Sequence, residues 1–345
     1  MAQLKTILIL GPTAGGKSDL AVDLAERLPS GGEVVGADAF QVYRHLDAGT
    51  AKPDRTLRGR VPHHLIDIVE PTERFTVHQW LERAHKAIED IQSRGRRPII
   101  VGGTNLYMKA LLDGMFDGPG QDPAFRASLD LIQTPALHHR LREVDPDSAD
   151  RLKPADRQRI VRALEVFELT STPISSLQTQ WAGGASQGLD ADLVGLRWET
   201  EAINQRINLR VKAMFYPDKV DPEIAAAVCI NRESLIDEVA RLKGEGWFQP
   251  VHAYAERSQA SGISPNQARE ALGYKQLLAW MERTDEKLTS IEEVFERTKV
   301  LTRRFAKQQR TWLKRFVGTH WVDGERYKAS RDETLVELVQ AFSEA

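Results

Sequence analysis

Apolar positions along the first hundred residues follow two rhythms. Lys5–Leu10 is a short apolar run ending at Gly11, the pattern of a strand buried on both faces. Lys17–Leu28 then sets Leu20, Ala21, Leu24, Ala25 and Leu28 at helical spacing. Glu33–Gly36, His64–Val69 and Pro98–Val101 read as further short strands. Between the last two, Thr76–Gln92 places Val77, Trp80, Leu81, Ala84, Ile88 and Ile91 on one stripe, an amphipathic helix. Strands alternating with helices predict a parallel sheet covered on both faces.

The rhythm changes after Asp122. From Asp122 to Leu177 the pattern is helical, punctuated by prolines, with no strand. Leu193–Trp198 is strand-like again and is expected to rejoin the sheet. Helical patterns resume at Glu201–Phe215, Arg232–Lys243, Pro265–Glu282 and Ile291–Phe316, while Trp181–Gly188 reads as an exposed loop. The expected organisation is a first part of the core over 1–121, a helical insertion over 122–190, and a return to the core with C-terminal helices over 191–345.

The strand-to-helix junction near the N-terminus carries chemistry. Gly11, Pro12, Thr13, Ala14, Gly15, Gly16, Lys17 and Ser18 match G-x-x-x-x-G-K-[ST] without a gap, after a strand and before a helix. Glycines let backbone amides converge on phosphate oxygens, and the helix N-terminus adds positive potential. Lys17 supplies a point charge, and Ser18 can ligate Mg²⁺. The motif specifies phosphate or pyrophosphate; it does not specify ATP. The fold class is therefore α/β, a P-loop NTPase-like parallel sheet flanked by helices, with a helical insertion. Asp38 follows the second strand, and in open α/β sheets the carboxyl ends of the strands line the ligand crevice. It can serve as a Mg²⁺-associated carboxylate, as a general base, or as a cap of a turn.

Composition narrows the classes. The 47 Lys and Arg against 49 Asp and Glu exclude a whole-protein basic field, though not a local basic patch. One cysteine, Cys229, excludes a disulfide scaffold and a multi-thiolate zinc site. Apolar runs fall far short of the ~18 residues of a membrane span, and Thr6–Leu10 is too short for the core of a signal peptide. A cytoplasmic protein with no membrane association, and a monomer, is the expectation. From Arg297 to Arg315 the basic residues Arg297, Lys299, Arg303, Arg304, Lys307, Arg310, Lys314 and Arg315 are uninterrupted by an acid. Leu301, Phe305, Trp312 and Phe316 form an apolar stripe expected to pack in the core. The basic face suits a nucleic-acid backbone, or it is simply solvated.

Six segments together resemble the tRNA dimethylallyltransferase (tRNA isopentenyltransferase) family: Gly11–Ser18, Asp38–Pro53 (DAFQVYRHLDAGTAKP), His63–Ile68, Gly102–Gly114 (GGTNLYMKALLDG), Asp156–Thr170 (DRQRIVRALEVFELT) and Leu272–Gln276. Thr302–Phe316 resembles the family's C-terminal basic helix, so the likeness is collinear over roughly 5–316. The resemblance implies a P-loop domain with a helical insertion that grips the anticodon stem-loop of tRNA. It implies transfer of a five-carbon group from dimethylallyl diphosphate to the exocyclic amine of the adenine 3′ to the anticodon, with Mg²⁺. The phosphate loop then holds a leaving group, with Lys17 among the catalytic residues.

Residue by residue, Asp38 matches the family's acid, and Thr104 matches a residue that contacts the target nucleotide. A helix N-cap is a compatible second role for Thr104. The tRNA-contact segments map onto Asp38, Ala39, Phe40 and Gln41, onto Gln158, Arg159, Ile160, Val161 and Arg162, and onto Glu270, Ala271, Leu272, Gly273, Tyr274 and Lys275. Arg159 and Arg162 share a helix face and can straddle phosphates, or make local ion pairs. Arg206 and Arg210 share a face at i and i+4; either one reaches the diphosphate or both are surface charge.

Asn105 stands where the family pattern has glycine, and Ala39-Phe40 replaces a Ser-Met pair. Phe215–Asn231 intervenes where the pattern has a short turn, and the sequence offers no reason for it. After Phe316 there is no Cys/His set for the zinc finger of eukaryotic members, so the bacterial type is implied. A metabolite kinase would use the phosphate loop but leaves the insertion and the basic helix unexplained. A nucleotide switch would prefer GTP or ATP, and a prenyltransferase of free adenine nucleotides would have little use for the insertion.

Overall fold

The computed structural model describes residues 4–115, 118–178, 188–229, 233–248 and 266–343. The chain divides into two compact units; the first holds the described residues within Met1–Leu112, Leu189–Phe248 and Asn266–Ala345, and the second those within Asp113–Gly188. The Trp181–Gly188 loop falls outside the described residues except for Gly188. None of the described helices is long and apolar enough to cross a membrane.

In the first unit, β1 (Thr6–Leu10), β2 (Gly32–Gly36), β3 (His63–His64), β4 (Arg97–Val101), β5 (Ala191–Arg197) and β6 (His320–Asp323) form one parallel sheet. Its order is β3-β2-β4-β1-β5-β6. Every residue of β1, β2 and β4 is buried, which explains why these strands read as continuous apolar runs rather than as alternation. β1 lies between β4 and β5, pairing Ile7 with Ile99 and Leu8 with Leu193. Strands β2, β3 and β4 lie on one side of β1 and β5 and β6 on the other, so the end of β1 opens at the switch point where α/β sheets bind ligands. Helices α1 (Lys17–Arg27) and α3 (Val77–Ser93) cover this part of the sheet, and the short α2 (Arg55–Arg60) precedes β3 in the chain. Thr76 caps α3 in a reciprocal box with Gln79, and Trp80, Ala84, Ile88 and Ile91 form its buried face. α4 (Asn105–Asp113) follows β4.

Three sequence expectations need correction. Of the expected His64–Val69 strand only His64 lies in a strand of the sheet, which begins one residue earlier at His63, because Leu65 and Asp67 adopt left-handed backbone (φ 60° and 56°). The kink delivers Asp67 to the ammonium of Lys52, at 2.5 Å, and to Arg58. Lys52 is fully buried, and its ammonium also meets Asp47 and the Tyr43 carbonyl, so a tertiary charge cluster overrides the local β pattern. The helix expected over Pro265–Glu282 is broken; a short 3₁₀ turn at Gln267–Glu270 precedes the helix Tyr274–Met281. Between them Gly273 has φ 91°, and a Cβ there would meet Leu235 at 2.6 Å. The third correction concerns the long helix Ile291–Leu313, whose buried seam is Val294, Thr298, Ala306, Gln309 and Leu313. Phe305 is exposed, Leu301 and Trp312 are half-buried, and of the expected stripe only Phe316 is buried.

The second unit, described by itself, is helical. Its helices Pro123–Leu129, Thr134–Val144, Pro146–Arg151, Arg157–Thr170 and Ile174–Leu177 enclose Leu129, Leu137, Leu141, Ile160, Ala163 and Val166. Pro123, Pro135 and Pro146 sit in the first turns of helices, at positions where a missing N–H costs nothing. Arg126 forms a two-pronged bond to buried Glu165 at 2.6 and 2.7 Å, holding its carboxyl below the usual range against the desolvation that would raise it.

Replacing Arg126 by Ala leaves Glu165 buried with only Arg162 and the Asp122 amide as partners. We expect the variant to lose about 3–5 kcal/mol in the helical unit. Urea unfolding followed by tryptophan fluorescence and far-ultraviolet dichroism checks it; an unchanged unfolding profile contradicts a structural role for the pair.

Candidate active site

A cavity of about 400 Å³ opens at the end of β1 within the first unit. The phosphate loop from Thr13 to Ser18 lines it, together with Asp38, Gln41, Gly102, Gly103, Arg206 and Arg210. The loop is held from behind. Trp198 donates its indole N–H to the Gly15 carbonyl at 3.0 Å, and Arg206 stacks over that indole while donating to the Ala14 carbonyl at 2.8 Å. Arg210 donates to the Thr13 hydroxyl at 3.1 Å. At the start of α1, Gly16 provides no side-chain cap, so the first amides of the helix meet no side-chain acceptor there.

Lys17 is buried and donates to the Pro12 carbonyl at 2.8 Å. Burial and then the positive charge of Arg210 lower its pKa to about 8, with Asp38 opposing. Burial also lowers Arg210, to about 10, against the pull of Asp38. Arg206 is lowered by burial, with Asp19 opposing. Both arginines therefore sit at the loop, where the sequence alone expected one. Burying several cations together is unfavourable unless an anion completes the set.

Asp38 stands just beyond β2. Its Oδ1 accepts from the amides of Phe40 (2.9 Å) and Gln41 (3.3 Å), a local turn that fixes the carboxyl. Thr104 accepts from the Ala39 amide at 2.9 Å and its own amide donates to the Ala37 carbonyl, so its hydroxyl oxygen braces the Asp38 turn. A Cβ at Gly102 would lie 2.0 Å from the Ala37 oxygen, and one at Gly103 2.9 Å from Asp38 Oδ2. Only glycines allow the ends of β2 and β4 to meet this closely. Gln41 donates to the Thr50 and Ala51 carbonyls, tying the turn to another wall of the cavity.

Sequence reasoning did not single out Gln309. This buried side chain of the Ile291–Leu313 helix accepts from the Thr13 amide at 2.8 Å and donates to the Gly103 carbonyl at 2.8 Å. One amide thus fixes the phosphate loop against the glycine turn beside Asp38. A signal existed: a polar residue in register with Ala306 and Leu313 on the buried seam.

The segments expected at an RNA face are mixed. In the helical unit Gln158 and Arg159 are exposed, Val161 is half-buried, and Ile160 is fully buried core. Arg162 is engaged with Glu165 and with the Pro119 and Gly120 carbonyls. In the first unit Ala271, Gly273 and Tyr274 are buried, whereas Glu270 and Lys275 are exposed and paired at 2.6 Å. The side chains of Ile160, Ala271 and Tyr274 are thus structural, which corrects their expectation as contacts. Tyr274 donates to buried Glu238 and receives the Gly49 amide, and Glu238 accepts from the Asp47 and Ala48 amides. Burial pushes Glu238 up to about 7. Arg297, Arg304, Lys307, Lys314 and Arg315 are exposed on the basic helix and its end.

A parallel α/β sheet, a phosphate-loop motif at its switch point and basic side chains closing on that loop define a P-loop α/β protein. Residues 41–316 match the family described as IPP transferase. The chain is 41% identical to a tRNA dimethylallyltransferase of Geobacter sulfurreducens, covering 99% of this chain and 98% of the relative. Among solved structures it resembles a tRNA delta(2)-isopentenylpyrophosphate transferase of Staphylococcus epidermidis, at 30% identity and TM-score 0.62, covering 99% of each chain. It also shares the fold of a eukaryotic dimethylallyltransferase acting on tRNA, at TM-score 0.73 and 24% identity, covering 99% of this chain and 80% of the other. The chain belongs to the IPP transferase family.

Two outcomes follow from this geometry. With burial and Arg210 lowering Lys17 to about 8, its charged fraction in the free protein falls as pH rises through that value. Affinity of the free protein for inorganic diphosphate should therefore fall as pH rises from 7 to 9, and Lys17→Met should flatten that dependence; calorimetric titration across the range checks both. Gln309→Leu leaves the Thr13 amide and the Gly103 carbonyl without this partner, at about 1–3 kcal/mol each. Diphosphate affinity should drop about tenfold or more, and unchanged affinity in a folded variant removes Gln309 from the site.

Proposed function

We propose that this protein transfers a dimethylallyl group from dimethylallyl diphosphate to the exocyclic amine of the adenine 3′-adjacent to the anticodon in tRNA. The observation that carries the reading is the placement of Asp38 on the cavity that the phosphate loop, Arg206 and Arg210 also line. Departure of diphosphate leaves positive character on an allylic carbon and negative charge on oxygen. The loop amides, Lys17, Arg206 and Arg210 stabilise that oxygen charge in a partly dehydrated site. The adenine amine is a weak nucleophile because its lone pair is delocalised into the ring. Asp38, with Oδ1 committed to two amides, offers Oδ2 to take the amine proton as the new C–N bond forms.

A Mg²⁺ ion fits this donor set in the manner of substrate-bridging sites. No cluster of three metal-ligating side chains occurs among the described residues, so Ser18 and the diphosphate's own oxygens would hold the ion. When bound it neutralises charge on the leaving group. The target base must leave its stack to reach Asp38, at a cost of a few kcal/mol. Arg159 in the helical unit and the exposed cations of the Ile291–Leu313 helix are the residues we assign to the tRNA backbone, with binding that weakens steeply in salt. A cytoplasmic location and a monomeric state complete the proposal.

Asp38→Asn is the decisive variant, nearly isosteric and still able to accept the two amides. Single-turnover transfer from labelled dimethylallyl diphosphate to unmodified tRNA should fall ~10²–10⁴-fold, with tRNA affinity little changed. Recovery at high Mg²⁺ would mark Asp38 as a metal-positioning group instead. A near-normal rate removes it from the chemistry. ATP-dependent phosphorylation without transfer to tRNA would overturn the function itself.

A further inference from the structure

The segment Phe215–Asn231 interrupts the family pattern, and its described part has a definite structure. A 3₁₀ turn at Pro217–Lys219 leads into the helix Pro222–Val228, capped by Asp221. Cys229 closes it, buried and donating its thiol to the Ala213 carbonyl. Ile224, Ala227 and Val228 stand at i, i+3 and i+4, one helix face, and all three line the cavity that holds the phosphate loop. Leu209 lines the same cavity from the helix Thr200–Phe215, between Arg206 and Arg210, and is 41% exposed.

We infer that Leu209, Ile224, Ala227 and Val228 form the wall that receives the hydrocarbon part of the diphosphate substrate and sets its length. This rests on the function proposed above. An apolar surface left open beside two diphosphate-facing arginines is explained if the ligand carries an apolar group next to its phosphates. The cavity's other lining residues include apolar Leu57 and Ile66 and polar Gln41, Thr50, Lys52 and His63, all from the chain between β2 and α3. That polar mixture suits a base with hydrogen-bonding edges. The helix Pro222–Val228 lines the cavity with apolar side chains alone, next to the arginines that face the diphosphate, and suits a five-carbon chain. Here the added segment is a substrate wall, and the step it serves is binding rather than proton transfer.

The test compares affinities on the intact protein without tRNA, where dimethylallyl diphosphate does not react. Inorganic diphosphate, dimethylallyl diphosphate and the ten-carbon geranyl diphosphate are titrated calorimetrically. Ala227→Phe, at an exposed position, should weaken dimethylallyl diphosphate by ~10-fold or more, with inorganic diphosphate within about twofold of the parent. Ile224→Ala should favour the ten-carbon ligand over the five-carbon one by ~10-fold relative to the parent, the scale of a few methylenes in an apolar pocket. Parallel loss of all three ligands, or no change in any, overturns the inference. Expected ratios from a parent that transfers nothing to tRNA would sink the function while leaving the wall in place.

Discussion

Several cations must share one small space at the end of β1, and much of the surrounding structure serves that requirement. Lys17, Arg206 and Arg210 all lose pKa to burial, and one carboxylate, Asp38, offsets the charge of Lys17 and Arg210. An empty site of this kind is electrostatically costly, and a polyanion relieves it. Positions are held mostly through neutral groups: an indole on the Gly15 carbonyl, a hydroxyl on Arg210, an amide on the Thr13 N–H. Neutral partners keep the cations in place without neutralising them, so their charge stays available to the ligand.

The same economy appears around Asp38. A carboxylate beside buried cations would be drawn into an ion pair with Lys17, and such a pair would compete with any phosphate. Two backbone amides on Oδ1 and the Thr104 brace hold the carboxyl in its turn instead. Gln309 then joins the phosphate loop to the turn beside Asp38, so loop and carboxylate share one frame. The neighbouring loop that begins at Asp47 is fixed by Glu238 and Tyr274, whose bonds to the Asp47, Ala48 and Gly49 amides give the cavity a second anchored wall.

The phosphate loop, the buried strands β1, β2 and β4 and the acid after β2 were legible because each rests on local grammar: an ungapped motif, an apolar run, a position at a strand end. What escaped was tertiary. The strand at His63–His64 stops because Asp67 is claimed by Lys52, a contact fifteen residues away in the chain. β6 (His320–Asp323) has only Val322 buried, so its alternation is too short to register. The seam of the long basic helix runs through Thr298, Ala306 and Gln309, while the more hydrophobic Phe305 faces out. Hydrophobicity ranks residues by type, and this helix sorts them by what the opposite surface needs: a small residue, a hydroxyl and an amide.

That sorting also explains why the segments expected from the sequence to contact RNA mix core and surface. In Glu270–Lys275, Tyr274 is buried to hold the Asp47–Gly49 loop while Glu270 and Lys275 remain outside. In the helical unit Ile160 builds the core, and Arg159, one residue away, is exposed. A short helical segment that must present a cation at a chosen place needs an apolar neighbour to fix its rotation, and the neighbour is then as sequence-constrained as the cation. Motifs in such segments therefore record two jobs at once. Burial separates them: the exposed charged residues stay open to solvent, and the buried ones build the frame that aims them.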